Sequence, residues 1–233
     1  MLLYAAPGTC ARVPTIALEE AGAPFTLQIV RFLKHEQKSA AFRNINPKGR
    51  VPAIVIDGEV LTENLAILLL LNARFPLARL LPATDSDVAR LRQIADLSFC
   101  ASTLHPIVAR IRVPQFIGSK ESAADVFKSG CAAMTEYAGL VEERLKSQPW
   151  WYGEQWSVVD AYLYWVFWRV SGAGFDLANY PNIVGHVLRM EDRPAVRRAL
   201  QREDNMQKTL EAEGLARSFD NLQLNVAPNV TTN

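Results

Sequence analysis

Residues 2–24, LLYAAPGTCARVPTIALEEAGAP, constrain the fold more than any other stretch. Leu2, Leu3 and Tyr4 are strand formers, and Pro7-Gly8 breaks the strand. Thr9 can cap the helix that follows, whose apolar positions Val13, Ile16, Ala17 and Ala21 keep helical spacing. Pro14 falls near the first turn, where a missing N–H costs little. The pattern predicts strand, tight turn and helix, with Cys10 at the helix mouth. A helix N-terminus carries roughly half a positive charge and unpaired N–H groups. Such placement lowers a cysteine pKa from about 8.5 toward roughly 3.5–7.5, and Arg12 adds a cation nearby. The expectation is a partly ionised, reactive thiol. A small buried hydrophobe is the other reading of the same residue.

Composition removes several classes of function. The 233 residues carry 25 Lys+Arg against 24 Asp+Glu, so no net field draws nucleic acid or an acidic membrane. With 49% hydrophobic residues the chain can bury a sizeable core in one or two domains. Cys10, Cys100 and Cys131 are odd in number and sparse, which argues against a disulfide framework and for a reducing compartment. No basic stretch precedes an apolar one at the N-terminus, and the densest apolar run, residues 65–71, is too short to span a bilayer. A cytoplasmic location is expected.

The chain continues with FTLQIVRF inside residues 24–32, a second strand, then a polar loop or weak helix over 33–43. Asn46-Pro47-Lys48-Gly49 is a turn. Residues 53–56 and 59–61 read as two strands joined at Asp57-Gly58, a hairpin signal. Glu63-Asn64 then starts a helix running to about Arg74, and Pro76 stops it. The order is βαβ followed by ββα. Most X-Pro bonds are trans, so spacing alone predicts a trans Val51-Pro52.

This order, with a cysteine at the first helix, a Val-Pro before the third strand and a Glu-polar pair at the last helix, resembles the thioredoxin-like domain of cytosolic glutathione transferases. PGTCARVPTIALEEAG is most similar to the bacterial beta class, and NPKGRVPAI to the family's Asn-Pro-x-Gly-x-Val-Pro-Ala segment. The resemblance implies a cis Pro52, a Val51 backbone that pairs with the cysteinyl part of glutathione, and Glu63 and Asn64 at its γ-glutamyl end. Asn64 stands where the family commonly has Ser. Helix capping is the plainer reading of that pair. Lys34, Gln37, Lys38 and Arg50 are candidates for the glycine carboxylate, beside a solvated-loop reading of the same charges.

Residues 76–82, PLARLLP, read as a linker between a thioredoxin-like domain (1–78) and an all-α domain (85–210), followed by a tail (211–233). Helical spacing covers 85–112, bounded or kinked by Pro106 and Pro114, and 123–146; residues 149–153, PWWYG, are a break. Ser157-Val-Val-Asp160 is a capping box before AYLYWVFWRV, whose aromatics lie all round the helix and predict burial. Tyr180-Pro181 and Arg193-Pro194 resemble the starts of the family's last two helices. LSFCASTLHP resembles the beta-class segment that lines the active site from the second domain. It keeps Ser102 and His105 but has Ser98 at the Asn position and Pro106 at the Lys position. A satisfied structural histidine is the alternative for His105. His35 and His186 carry no partner signal and are expected at the surface.

The resemblance implies an enzyme of the glutathione transferase type. Glutathione would be co-substrate, an apolar electrophile the second substrate, Cys10 and His105 the catalytic residues, and the assembly a homodimer, with no metal. Two other readings of the same residues are a glutathione-dependent monothiol oxidoreductase using Cys10, since position 13 is Val and no Cys-x-x-Cys exists, and a non-catalytic ligand-binding member of the fold.

Overall fold

The structure is a computed structural model that describes residues 1–216; the expected tail beyond that point lies outside the described residues. Strands β1 (Leu2–Ala5), β2 (Thr26–Ile29), β3 (Ala53–Ile56) and β4 (Glu59–Thr62) form one sheet in the order β2-β1-β3-β4. β1 and β2 are parallel, and both other pairs are antiparallel. Asp57 and Gly58, at φ 52° and 85°, make the two-residue turn that pairs Ile56 with Glu59. Helix α1 (Arg12–Glu20) crosses between β1 and β2. The stretch 33–43 is folded rather than open: 3₁₀ turns Phe32–Lys34 and Glu36–Lys38 lead into α2 (Ala40–Ile45), capped by Ser39, which accepts from Phe42 N–H. Helix α3 (Asn64–Arg74) closes the first domain.

The helical part comprises α4 (Asp87–Ser98), α5 (His105–Arg112), α6 (Ala123–Lys146), α7 (Val158–Ser171), α8 (Pro181–Asp192) and α9 (Pro194–Ala212). The helical stretch expected over 85–112, bounded or kinked at Pro106, is broken just before that proline. A π-helical segment, Phe99–Leu104, separates α4 from α5, with Pro106 in the first turn of α5. Proline cannot donate in an α ladder, and a π-bulge is one way to absorb that loss. The capping box forms: Ser157 Oγ accepts from Val159 N–H at 3.2 Å, and Asp160 accepts from Ser157 N–H at 2.8 Å. Asp160 also takes Trp151 N–H at 2.7 Å, which pins residues 149–153 to α7.

His186 corrects one expectation. It lies at 0% exposure, 3.1 Å from Asp160, instead of at the surface. A histidine on the inner face of α8 gives no local sign of the carboxylate waiting 26 residues earlier.

The two domains share one apolar core that runs from Leu3, Ile16 and Ile54 through Leu80 to Tyr162 and Val166. The connection over 76–82 is part of that core. Leu80 is buried and its carbonyl accepts from Val158 N–H at 2.8 Å, while Leu81 N–H donates to Asn72 at 3.0 Å. Helix α1 lies between the sheet and α7 and α9, so even Arg12 and Glu19 are buried. Their charges are met by α9. Arg12 pairs with Glu203, and Glu19 with Arg198 and Arg202.

Candidate active site at the domain cleft

The Pro7-Gly8-Thr9-Cys10 turn ends β1 and is held on three sides. Gly8 N–H donates to Glu203 Oε1 at 2.9 Å, Trp165 Nε1 donates to the Gly8 carbonyl at 3.3 Å, and Asn64 Nδ2 donates to the Cys10 carbonyl at 3.0 Å. Two of these partners come from the helical domain and one from α3. Thr9 stands at the turn that leads into α1: its hydroxyl donates to the Ala6 carbonyl at 2.6 Å and accepts from Ala11 N–H at 3.4 Å, while α1 itself begins at Arg12. Glu203, Trp165 and Tyr162 were not marked as site residues by the sequence, because their roles depend on packing more than 150 residues away from the cysteine turn.

Cys10 is 8% exposed, and its thiol donates toward the Val51 carbonyl at a sulfur–oxygen distance of 3.7 Å. Burial pushes its pKa up, to about 12, and the Glu63 charge adds to this; the Cys10 backbone N–H, Asn64 and Arg50 pull the other way. The expected partly ionised thiol is therefore corrected to a protonated one. Ionisation at a helix mouth needs a thiol open to water and close to the first unpaired N–H groups. Instead the helix starts two residues later and the thiol is enclosed. Arg12 gives no help, since its guanidinium pairs with Glu203 at 2.6 Å and stacks 3.5 Å from the Trp168 ring centre.

Val51-Pro52 is cis, as the resemblance implied and spacing alone did not. The turn before it is closed by Asn46, whose Nδ2 donates to the Arg50 carbonyl at 2.6 Å and whose Oδ1 accepts from Lys48 N–H at 3.1 Å. Gly49 in this turn has φ 63°, and a Cβ there would meet the Gln37 carbonyl at 2.7 Å, so glycine is required for both conformation and space. Glu63 also has a positive φ, 74°, directly ahead of α3. Its carboxylate is exposed and pairs with Lys48, and neither Glu63 nor Asn64 makes a side-chain cap. Capping does not explain the pair. A left-handed glutamate at a cleft edge is the kind of local strain that accompanies a ligand site.

From the helical domain, His105 and Tyr162 face the same space, with Nδ1 and the phenol oxygen 3.0 Å apart. The His105 ring also lies edge-on to Trp165, 4.6 Å between centres. Burial lowers the His105 pKa to about 4, and the Arg50 charge adds to the shift. Burial raises that of Tyr162, and Cys10 adds to it. At neutral pH the pair is an uncharged imidazole and an uncharged phenol sharing one hydrogen bond.

A cleft of about 430 Å³ brings Cys10, Arg50, Val51, Pro52, Glu63, Asn64, His105 and Tyr162 together between the domains. Pro106 lines it too, where a lysine was expected from the resemblance. A second opening of about 410 Å³ shares Cys10, Arg50, Val51 and His105 and adds Gln37 and Lys38. Two expected site residues are not brought in. Lys34 is exposed and lines neither opening. Ser102 points along its own helix, donating to the Ser98 carbonyl at 2.7 Å, and the neighbouring Ala101 lines the cleft. A phase shift of one residue, about 100° around the helix, suffices for this, and the π segment supplies one. Among the described residues no group of three His, Cys, Asp or Glu side chains converges as a metal site.

A thioredoxin-like sheet with a cis-proline edge, joined to a helical domain that completes a thiol-containing cleft, defines a two-domain thiol-binding protein. The chain belongs to the glutathione S-transferase family: residues 8–74 match the family's N-terminal domain and residues 124–202 its C-terminal domain. It is 31% identical over 205 residues to glutathione S-transferase GstA of Escherichia coli O157:H7, which covers 87% of this chain and 98% of that one. It is also similar to a bacterial beta class glutathione S-transferase of Sphingomonas chungbukensis, at 34% identity and a TM-score of 0.77, covering 87% of this chain and 98% of that one. Maleylacetoacetate isomerase maiA of Aspergillus fumigatus is 27% identical over 208 residues, covering 82% and 85%. Several of the similar solved structures hold glutathione, and within the family the chain is beta-class-like.

Proposed function

We propose that the protein is a glutathione transferase that joins glutathione to apolar electrophiles in the cleft between its domains. The observation that carries this is the meeting of the cis Val51-Pro52 edge with Cys10, His105 and Tyr162. A short antiparallel pairing with the Val51 backbone would fix the cysteinyl unit of glutathione. The N-terminus of α3 and Asn64 would take the γ-glutamyl carboxylate, Glu63 its ammonium group, and Arg50 and Lys38 the glycine carboxylate. In the transfer step the glutathione sulfur bonds to an electrophilic carbon and releases its proton. A leaving group departs, or an activated double bond takes up a proton. The cleft contributes orientation and exclusion of water. The enclosed, protonated Cys10 acts as a hydrogen-bond donor that positions the sulfur, and the uncharged His105–Tyr162 pair presents a second polar contact.

This reading disfavours the monothiol cycle, which needs a Cys10 thiolate open to attack. A glutathione-dependent isomerase is a second reading, favoured by the similarity to the maleylacetoacetate isomerase. In it glutathione would add to a carbon–carbon double bond and leave again after rotation.

Conjugation of 1-chloro-2,4-dinitrobenzene by wild type and Cys10→Ala tests the proposal. The variant is expected to retain activity within about tenfold, as loss of one positioning hydrogen bond predicts. No conjugation by wild type at any glutathione concentration would overturn the transferase reading. In the same preparation glutathione at about 100 times its Kd should stabilise the fold by roughly 2.7 kcal/mol. Glu63→Ala should weaken that effect with little change in the stability of the free protein, because an exposed ion pair contributes about 0–1 kcal/mol.

A further inference from the structure

Beyond the glutathione cleft, the opening that contains Cys10 continues away from Glu63 toward the end of α5. There it meets a third cavity of about 430 Å³, and the two share Thr9, Phe32, Arg112, Val113 and Arg169. The floor of the outer cavity is apolar, built from Val30, Phe32, Leu33, Val113 and Phe116. Its cations are Arg112 and Arg169, and among the described residues no Asp or Glu lines either opening. Arg112 stands out in one further respect. Its Nε is buried and has no hydrogen-bond acceptor among the described residues. A buried donor left unpaired costs about 1–3 kcal/mol. A guanidinium presents its donors as a planar fork that fits a carboxylate with two parallel hydrogen bonds.

We propose that this trough, running from Cys10 over Phe32 and Val113 to Arg112, is the second-substrate site and takes apolar compounds that carry a carboxylate. The assignment rests on the transferase reading and names its substrate class. The apolar body lies on Phe32 and Val113, which leaves its reactive end toward the glutathione sulfur near Cys10. The carboxylate meets the Arg112 guanidinium where it lines the trough, and a turn of the side chain brings the unpaired Nε to it. A neutral analogue of the same shape gains the apolar contacts but offers the guanidinium no charged acceptor, so the site discriminates by charge. Arg169 at the trough's outer end adds to the attraction without fixing geometry.

Binding can be measured apart from catalysis. Calorimetry with 4-phenylbutanoate and with 4-phenylbutan-1-ol, on the full chain loaded with glutathione, compares a carboxylate with a neutral body of similar shape. The acid is expected to bind at least tenfold more tightly than the alcohol. Arg112→Gln should bring the acid down to the level of the alcohol, with the alcohol unchanged, and Arg112→Lys should keep part of the preference. Equal binding of the two compounds by wild type would overturn the assignment, as would an Arg112→Gln variant that weakens both alike while its melting temperature is unchanged. If Arg112→Gln does not fold, the Arg112→Lys variant and the wild-type comparison still decide. Ethacrynic acid and its methyl ester, offered as electrophiles, separate this result from the transferase reading. Charge-selective binding with no conjugate from either compound would sink the reaction and leave the site standing. Conjugation of both at equal kcat/KM would do the reverse.

Discussion

At the scale of single residues, the thiol and the imidazole owe their chemistry to enclosure. Cys10 keeps its proton because the Val51 edge and the helical domain close over it, and its pKa of about 12 implies slow reaction at neutral pH. Alkylation by iodoacetamide should be slower in the native protein than in urea, with a native inflection above the ordinary thiol value of about 8.5. A native inflection below that value would refute the enclosed state. His105 gives the opposite sign. Its folded pKa of about 4 lies below the ordinary value of about 6.5, so the unfolded chain binds the proton more readily between those limits. The associated stability is complete above pH 6.5 and is lost as the pH falls through 4. His105→Gln should flatten the fall in urea-unfolding stability across pH 6.5 to 4, and an unchanged slope would assign it to other groups. The position of Cys10 after a Pro-Gly turn was legible in the sequence. Its protonation state was not, because desolvation comes from Val51 and from α5 and α7, which the local pattern does not contain.

At the scale of elements, the local signals performed well wherever one short stretch determines the geometry. The Asp57-Gly58 hairpin, the Ser157–Asp160 capping box and the proline starts of α8 and α9 all stand as their sequences predict. The interrupted helix over 87–112 and the position of Ser102 did not follow from spacing, since hydrophobic period cannot distinguish an α ladder from one with an inserted π turn. Helix α9 shows the other limit. Its sequence is polar and charged, which suggests a solvated face, yet Glu203 reaches across to Arg12 and to the Gly8 amide at once. Glu203→Ala would leave the Arg12 guanidinium, whose side chain is only 3% exposed, without its carboxylate. Removing one partner of a buried pair costs about 3–5 kcal/mol, and denaturant unfolding should show a loss of that size. The same change frees Gly8 N–H, so glutathione affinity should fall as well. If stability drops with affinity unchanged, α9 is a strut and has no part in setting the cysteine turn.

At the scale of the whole molecule, the two domains share one core, and further apolar side chains face outward. The run 65–71 is split: Ile67, Leu68 and Leu71 are fully buried, whereas Leu65, Leu69 and Leu70 are partly open. Beside α3, the connection exposes Leu77 at 97%, and α4 turns Val88 and Leu91, three residues apart on one face, to solvent at 58% and 63%. Scattered exposed leucines are ordinary, but several on neighbouring elements form the kind of face that a partner covers. A two-fold axis lets one patch cover its own copy, so a single substitution changes the contact on both chains. We therefore expect a homodimer, with light scattering at micromolar concentration giving twice the chain mass of 26.0 kDa. Leu91→Glu should shift the protein toward the monomer, because the like charge is placed twice across the axis and the apolar area is lost on both sides. Neither the cleft between the domains nor the Arg112 trough includes Leu91, so on the proposed reading a monomeric variant should still bind glutathione. A wild-type protein that scatters as a single chain would show that this face stays open to water.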